Sequence, residues 1–208
     1  AGKSTIAKLL AVKMNCIYLD TGAMYRTVGL LAVRTNTDRH DDAALAELLK
    51  NADIRVLRVD GSQHMALNGE DVEKLIRTPE ISMAASDVAS CPSVRRALVA
   101  LQQKIAAGCD VVMDGRDIGT RVLPDADYKF FLTASDKVRA QRRYDELKAK
   151  GESVTLQEVL EDVRRRDEQD TTRAESPLTI ADDATEVETD DLGIDEVVTV
   201  LMALMGRF

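Results

Sequence analysis

The sequence predicts an α/β fold, a parallel sheet flanked by helices. Three observations carry this. Short apolar runs alternate with amphipathic helical stretches along most of the chain, the pattern of strand–helix–strand crossovers. Two of those runs, "DVVMDG" and "YKFFLTA", are compact and bounded by turn signals, as expected of strands buried on both faces. The third is the opening "AGKST", which places the second half of a phosphate-binding loop, G-x-x-x-x-G-K-[ST], at the start of a helix.

Taken in order, Ile6, Leu9, Leu10 and Val12 give one apolar face to a helix over 2–13. "CIYLD" reads as a strand and "GAMYRTVGLLAVRT" as the helix after it; "DDAALAELLKNA" is a further helix. "DIRVLRV" and "HMALNG" alternate around Gly-Ser, which predicts a β-hairpin near 53–70 that interrupts the α/β rhythm as an appended lobe. "SVRRALVALQQKIAAG" is a long amphipathic helix, with Ser90 as its expected cap, Pro92 in its first turn and Gly108 closing it. After the two central strands come two charged helices, "SDKVRAQRRYDELKAKG" and "TLQEVLEDVRRRDEQD", a last strand "ATEVETD" and a terminal helix.

The composition excludes several classes of function. A net charge of −8 leaves no basic field for nucleic acid, and 3% aromatics without Trp cannot stack successive bases. The apolar run "VVTVLMALM" is too short to span a bilayer. Three cysteines without Cys-x-x-Cys spacing, Cys16, Cys91 and Cys109, predict reduced thiols in a cytoplasmic protein rather than a disulfide frame or a zinc site. His40 and His64 fall outside every motif and are expected at the surface.

In a complete phosphate loop, backbone N–H groups surround the β-phosphate and the lysine reaches the β/γ oxygens. The Ser/Thr hydroxyl ligates Mg²⁺. Gly2, Lys3, Ser4 and Thr5 stand at these positions, with Ser4 as the metal ligand. A phosphate site needs the strand that positions its helix, so that strand and the first half of the loop are expected upstream of Ala1.

Two other segments, "YLDTGAMYR" and "MDGRDIGT", end strands with a glycine-bearing, charged turn, at the sheet edge where ligands of open α/β folds collect. Together with "IRTPEIS…AAS.VA", "VR.AL…Q", "PDAD.K.FL.AS", "RA.RR" and "RRRDEQDTTR…SPL", they resemble the bacterial-type cytidylate kinase family in order over nearly the whole chain. The resemblance implies transfer of a phosphoryl group from ATP to CMP or dCMP with Mg²⁺, by a P-loop enzyme that is commonly monomeric. It implies one nucleoside monophosphate kinase domain: a core of 1–36, 88–140 and 174–208, a monophosphate-binding insert of about 37–87 and a helical lid of about 141–173.

The resemblance places Ser86, Arg95 and Asp117 at the base. Their chemistry suits cytosine: Asp117 and Ser86 can accept from N4, and the Arg95 fork can donate to N3 and O2. Uracil would set like against like at these positions, a mismatch that costs ~10⁴-fold or more. The resemblance also puts Thr21, Arg26 and Arg116 on the acceptor phosphate, Arg166 and Arg173 as lid-side guanidiniums, and Asp170 on the sugar. Arg166, Asp170 and Arg173 fall at i, i+4 and i+7, on one helix face; a salt-bridged surface stripe has the same spacing. Arg139, Arg142 and Arg143 form a second one-sided cluster for the ATP phosphates, with Arg142 the nominated contact. Asp114 and Asp20 each suit either a water of Mg²⁺ or the orientation of an arginine.

Two alternatives compete. Another P-loop kinase, of uridylate or shikimate type, would share Lys3 and a lid arginine but has no use for Ser86, Arg95 and Asp117 together. A non-catalytic GTPase-like switch would want a guanine-reading Asn-Lys-x-Asp stretch, which the sequence lacks.

Overall fold

The structure, a computed structural model, describes residues 2–59, 61–149, 151–172 and 177–207. In chain order these form α1 (Lys3–Met14), β1 (Ile17–Asp20), α2 (Thr21–Arg34), α3 (Asp42–Lys50), β2 (Ile54–Val59), β3 (Ser62–Leu67) and the short β4 (Glu70–Asp71). A 3-10 turn at Leu75–Arg77 leads to α4 (Pro79–Val88), α5 (Pro92–Ala106) and β5 (Val111–Asp114). A π turn at Ile118–Val122 precedes β6 (Phe130–Thr133), α6 (Asp136–Ala149), α7 (Leu156–Thr172), β7 (Thr185–Glu188) and α8 (Ile194–Leu204). The chain divides into two compact units, Ile17–Gly115 and Ala1–Cys16 with Arg116–Phe208.

In the 17–115 unit, β1 pairs in parallel with β5, so that Asp20 and Asp114 end the two strands side by side. The core gathers Leu19 with Met24, Val28 and Leu31 of α2, Leu45 of α3, Met65 of β3, Val88 of α4 and Val94 and Leu98 of α5. The expected hairpin forms between β2 and β3, and β4 adds a third antiparallel strand. Ser62 already pairs with Val59, so it belongs to the ladder rather than to the turn.

Helix α4 is absent from the sequence reading, although its start is well marked: Thr78 caps it by accepting from Ile81 N–H, and Pro79 fills its first turn. It crosses α2 at Gly29, where a Cβ would lie 2.9 Å from the Ala85 nitrogen. Gly29→Ala should therefore lower stability by about 1–3 kcal/mol through overpacking, outweighing the ~1 kcal/mol that alanine gains in a helix. A drop of several degrees in the thermal midpoint checks this; a rise would show that α2 and α4 separate without cost.

In the other unit, β6 and β7 pair in parallel, and α1 packs on α8. Ile6, Ala7, Leu10 and Ala11 form the buried face of α1, while Val12 is 78% exposed. Position 12 lies well around the helix from 6 and 10, so the apolar face runs through the two alanines instead.

Both two-stranded pairs outside the antiparallel insert are parallel, as the α/β reading expects. The strands β5 and β6 are half-buried along their length, not closed on both faces; each has a single strand neighbour among the described residues, and an open edge admits solvent. Ser90 does not cap α5: Cys91 occupies the cap position without a side-chain bond, and the Ser90 hydroxyl donates to the Asp87 carbonyl instead. His40 is exposed, but His64 is half-buried and bonds Asp71 at 2.7 Å. The three cysteines are free. Among the described residues no helix is long and apolar enough to cross a membrane.

Candidate functional site

The tip of α1 begins on a glycine. Gly2 holds φ 99°, ψ −31° as its N-cap, with no side chain to cap the first N–H groups and no acidic residue in the first turn. A positive φ of this size suits glycine alone, and a helix N-terminus left in this way favours phosphate. Lys3 is half-buried, and Ser4 and Thr5 are exposed on the same turn.

At the carboxyl ends of β1 and β5 the two aspartates have separate tasks. Asp114 accepts from the Tyr18 hydroxyl at 2.9 Å and, through its carbonyl, from the Thr21 hydroxyl at 2.8 Å. Asp20 is buried; one carboxylate oxygen caps α2 at Ala23 N–H, and the other accepts from Arg26 at 2.9 Å and Arg77 at 3.0 Å. The side chain of Gln63, on β3, clasps the Asp20 backbone from both sides: its oxygen accepts from the N–H and its nitrogen donates to the carbonyl. Asp20 thus orients two guanidinium groups, those of Arg26 and Arg77.

Burial alone would raise the Asp20 carboxyl; Arg26, Arg77 and the Ala23 N–H outweigh it and hold the group below its ordinary value of 3.8. A carboxylate with a lowered folded value contributes stability that is present above 3.8 and disappears as pH falls through the lowered value. The urea midpoint of the native chain should therefore fall as pH drops from about 5 to about 2, and Asp20→Asn should flatten part of that limb. An unchanged slope would contradict the assignment. Burial and the neighbouring Arg77 lower Arg26, against the pull of Asp20, and its Nε is buried without a partner. Gly22 leaves room for this group: a Cβ there would stand 3.1 Å from Arg26 Nη1 and 3.2 Å from Asp20 Oδ1.

In the same unit Arg95 is 5% exposed. Its Nη1 donates to the Ala89 carbonyl at 3.1 Å, and its guanidinium lies 5.8 Å from the centre of the Tyr25 ring. Ala89 is the C-cap of α4, the helix that carries Ser86, so the head of Arg95 is fixed at the end of that helix. Ser86 itself is half-buried, and its hydroxyl makes a long 3.4 Å bond to the Ser82 carbonyl.

The other unit holds the remaining cations. Arg116 Nε donates to Asp170 on α7 at 2.6 Å, and Asp117 is buried beside it in sequence. One turn earlier on α7, Arg166 is partly buried; burial lowers it, Asp162 opposes, and the neighbouring charges of Arg143, Arg116 and Arg165 lower it further. Of these neighbours Arg116, Arg143 and Arg165 each pair with a carboxylate, of Asp170, Glu146 and Asp162. Arg139 makes a bidentate pair with Asp167, and Arg143 pairs with Glu146. Arg142 instead donates to Thr189 and to the carbonyls of Thr189, Asp190 and Leu192, clamping the turn between β7 and α8. Arg173 lies outside the described residues.

This set of charged groups accompanies a full-length family match. The cytidylate kinase family model matches residues 1–207. The chain belongs to the cytidylate kinase family. It is 48% identical over 207 residues to a cytidylate kinase of Caldicellulosiruptor bescii, covering all of this chain and 92% of that one. A cytidylate kinase of Carboxydothermus hydrogenoformans is 49% identical over 207 residues, with 93% of its length covered. One of Bacillus subtilis is 48% identical over 197 residues, 95% of this chain and 88% of its own.

Within a cytidylate kinase-family chain the parallel α/β architecture with an antiparallel insert has a clear use: it sets Asp20, Thr21 and Asp114 at strand ends. Three residues of the site were not found from sequence. Arg77, Glu73 and Gln63 reach Asp20 or its partner Arg77 from the insert, 43 to 57 positions away in the two direct contacts. The only sequence signal was that Arg77 stands inside "IRTPEIS", one of the segments carrying the resemblance.

Proposed function

We propose that the protein transfers the γ-phosphoryl group of ATP to CMP or dCMP, giving ADP and CDP or dCDP. The observation that supports this most directly is the pairing of a full-length cytidylate kinase family match with a helix that starts at a positive-φ Gly2 and has no acidic residue in its first turn. Lys3 and the backbone N–H groups of Gly2 to Thr5 bind the ATP phosphates, with Arg142 as an outlying contact that must exchange its carbonyl partners to do so. Thr21, Arg26 and Arg116 hold the acceptor phosphate. Ser86, Arg95 and Asp117 read cytosine, Asp114 supports the strand end, and Asp170 meets the sugar. Arg166 and Arg173 neutralise charge on the phosphoryl group in flight. Such a reaction relies on positioning and charge rather than on a strong base.

The donor set also suits Mg²⁺. Among the described residues no cluster of three His, Cys, Asp or Glu side chains could cage a metal; a hard hydroxyl at Ser4, exposed on the first turn of α1, fits an ion that keeps its waters and arrives on phosphate oxygens. When bound, Mg²⁺ supplies positive charge to the β/γ oxygens, and Ser4 would hold it. On this reading the protein acts in the cytoplasm as a monomer, with the insert at about 37–87 and the lid at about 141–173.

The test is a coupled ADP-release assay with ATP and Mg²⁺. CMP or dCMP should start ADP release, and excess chelator should stop it. ADP release that is equally fast without a pyrimidine nucleotide would overturn the reading. The uridylate- and shikimate-type alternatives have no observation in their favour.

A further inference from the structure

We propose that Gln63, on β3 of the antiparallel insert, is a positioning residue that aims Arg26 by clasping the backbone of Asp20. This rests on the reading of Arg26 as an acceptor-phosphate ligand. Gln63 meets no reacting group itself; it fixes the strand end that holds the arginine.

The starting point is the open edge of β1. Ile17 N–H donates to the Asp110 carbonyl, just before β5, at 2.9 Å. Peptide groups alternate in direction along a strand. Leu19 therefore also faces β5, and the N–H and carbonyl of Asp20 face away from it. Strand β5 is the single strand neighbour of β1 among the described residues, yet Asp20 is buried. Backbone groups shut away from water at a sheet edge need other partners. Gln63 supplies both: Oε1 accepts from the Asp20 N–H at 2.7 Å, and Nε2 donates to the Asp20 carbonyl at 3.2 Å. A carboxamide carries the donor and acceptor of a peptide unit, so this side chain stands in for the backbone of a further strand.

The hairpin holds that amide in register. Gln63 sits opposite Arg58 and two places before Met65, which is fully buried in the core that includes Leu19 of β1. Residues two apart share one face of a strand, so anchoring Met65 turns Gln63 to the same side. A slip of one residue would present Ser62 or His64 instead. What the amide fixes is the organising residue of the strand end. Asp20 Oδ1 caps α2 at Ala23 N–H, and Oδ2 accepts from Arg26 at 2.9 Å. A displaced Asp20 backbone carries the Arg26 head with it. Misplacing a binding group by about 1 Å can cost about 100-fold, so a pair of bonds remote from the ligand can set its affinity.

The experiment compares CMP with cytidine, which carries the same base and sugar but no phosphate. For Gln63→Met, of similar length but without either bond, the dissociation constant of CMP should rise about 5- to 20-fold. That of cytidine should stay within about twofold, and KM for ATP should be unchanged. Gln63→Asn, whose amide stops one methylene short, should show the same phosphate-dependent loss with a polar side chain. Because Gln63 acts through Arg26, adding Gln63→Met to Arg26→Met should weaken CMP by less than about twofold more. Melting curves show whether each variant is folded at the assay temperature. Equal weakening of CMP and cytidine would make Gln63 a strut of the fold, and full additivity with Arg26→Met would detach it from the arginine; either result overturns the proposal. Unchanged CMP affinity in the Gln63 variants overturns it too. Failure of the underlying reading looks different, since Arg26→Met alone would then leave CMP affinity at its native value.

Discussion

Arg95→Met should lower kcat/KM for CMP by about 10³- to 10⁴-fold while leaving KM for ATP near its native value. The reason lies in what the pocket would have to bury. Arg95 is 5% exposed and already donates to the end of α4. Its fork can satisfy the N3 and O2 acceptors of cytosine only from a fixed position, and methionine of similar length offers neither donor. The base would enter with two acceptors desolvated and unmatched, each costing about 1–3 kcal/mol. Loss of the bond to Ala89 will also reduce stability, so the kinetics belong beside a melting curve at the assay temperature. If the variant is folded and turns CMP over at the native rate, Arg95 does not read the base.

Arg166→Met is the second large effect, and its signature is a split between activity and stability. Among the described residues Arg166 has no hydrogen bond or ion pair; it sits partly desolvated, attracted by Asp162 and repelled by Arg143, Arg116 and Arg165. Removing it ends the desolvation of a charge and three like-charge repulsions at the cost of the Asp162 attraction, so the thermal midpoint should stay level or rise. Turnover should fall by about 10³-fold, the scale seen when an arginine that meets a transferring phosphoryl group is lost. A fall in stability with little change in kcat would make α7 an ordinary charged helix whose arginines serve the fold.

These two residues also mark how far the sequence could be read. The helices α2, α5, α6, α7 and α8 and the strands β1, β5, β6 and β7 lie where apolar period and turn residues put them, because each signal is local. The helix-tip geometry at Gly2 was legible for the same reason. Arg166 and Asp170 were legible as a charged face of one helix, but spacing could not separate a solvated stripe from an anion site. Nor does spacing record that Asp170 turns to Arg116, 54 positions away, while Arg166 lies between Asp162 and the charges of Arg143, Arg116 and Arg165. Arg142 shows the converse. Its place in a cationic cluster suggests a phosphate contact, and the sequence does not show that the turn after β7 presents three carbonyls that its planar fork can satisfy. The Asp20 hub was half legible: its place at a strand end was evident, but its partners Arg77 and Gln63 come from the insert. No periodicity records which side chains an insert returns to a strand end.

The central claim is that the acceptor site distinguishes cytosine from uracil by hydrogen-bond polarity. It is tested most directly by kcat/KM for CMP against UMP in the native protein, with ATP and Mg²⁺ saturating. A preference for CMP of about 10⁴-fold is expected from unmatched polar groups on uracil, narrowing sharply in Arg95→Met. Equal turnover of CMP and UMP by the native protein would contradict the account.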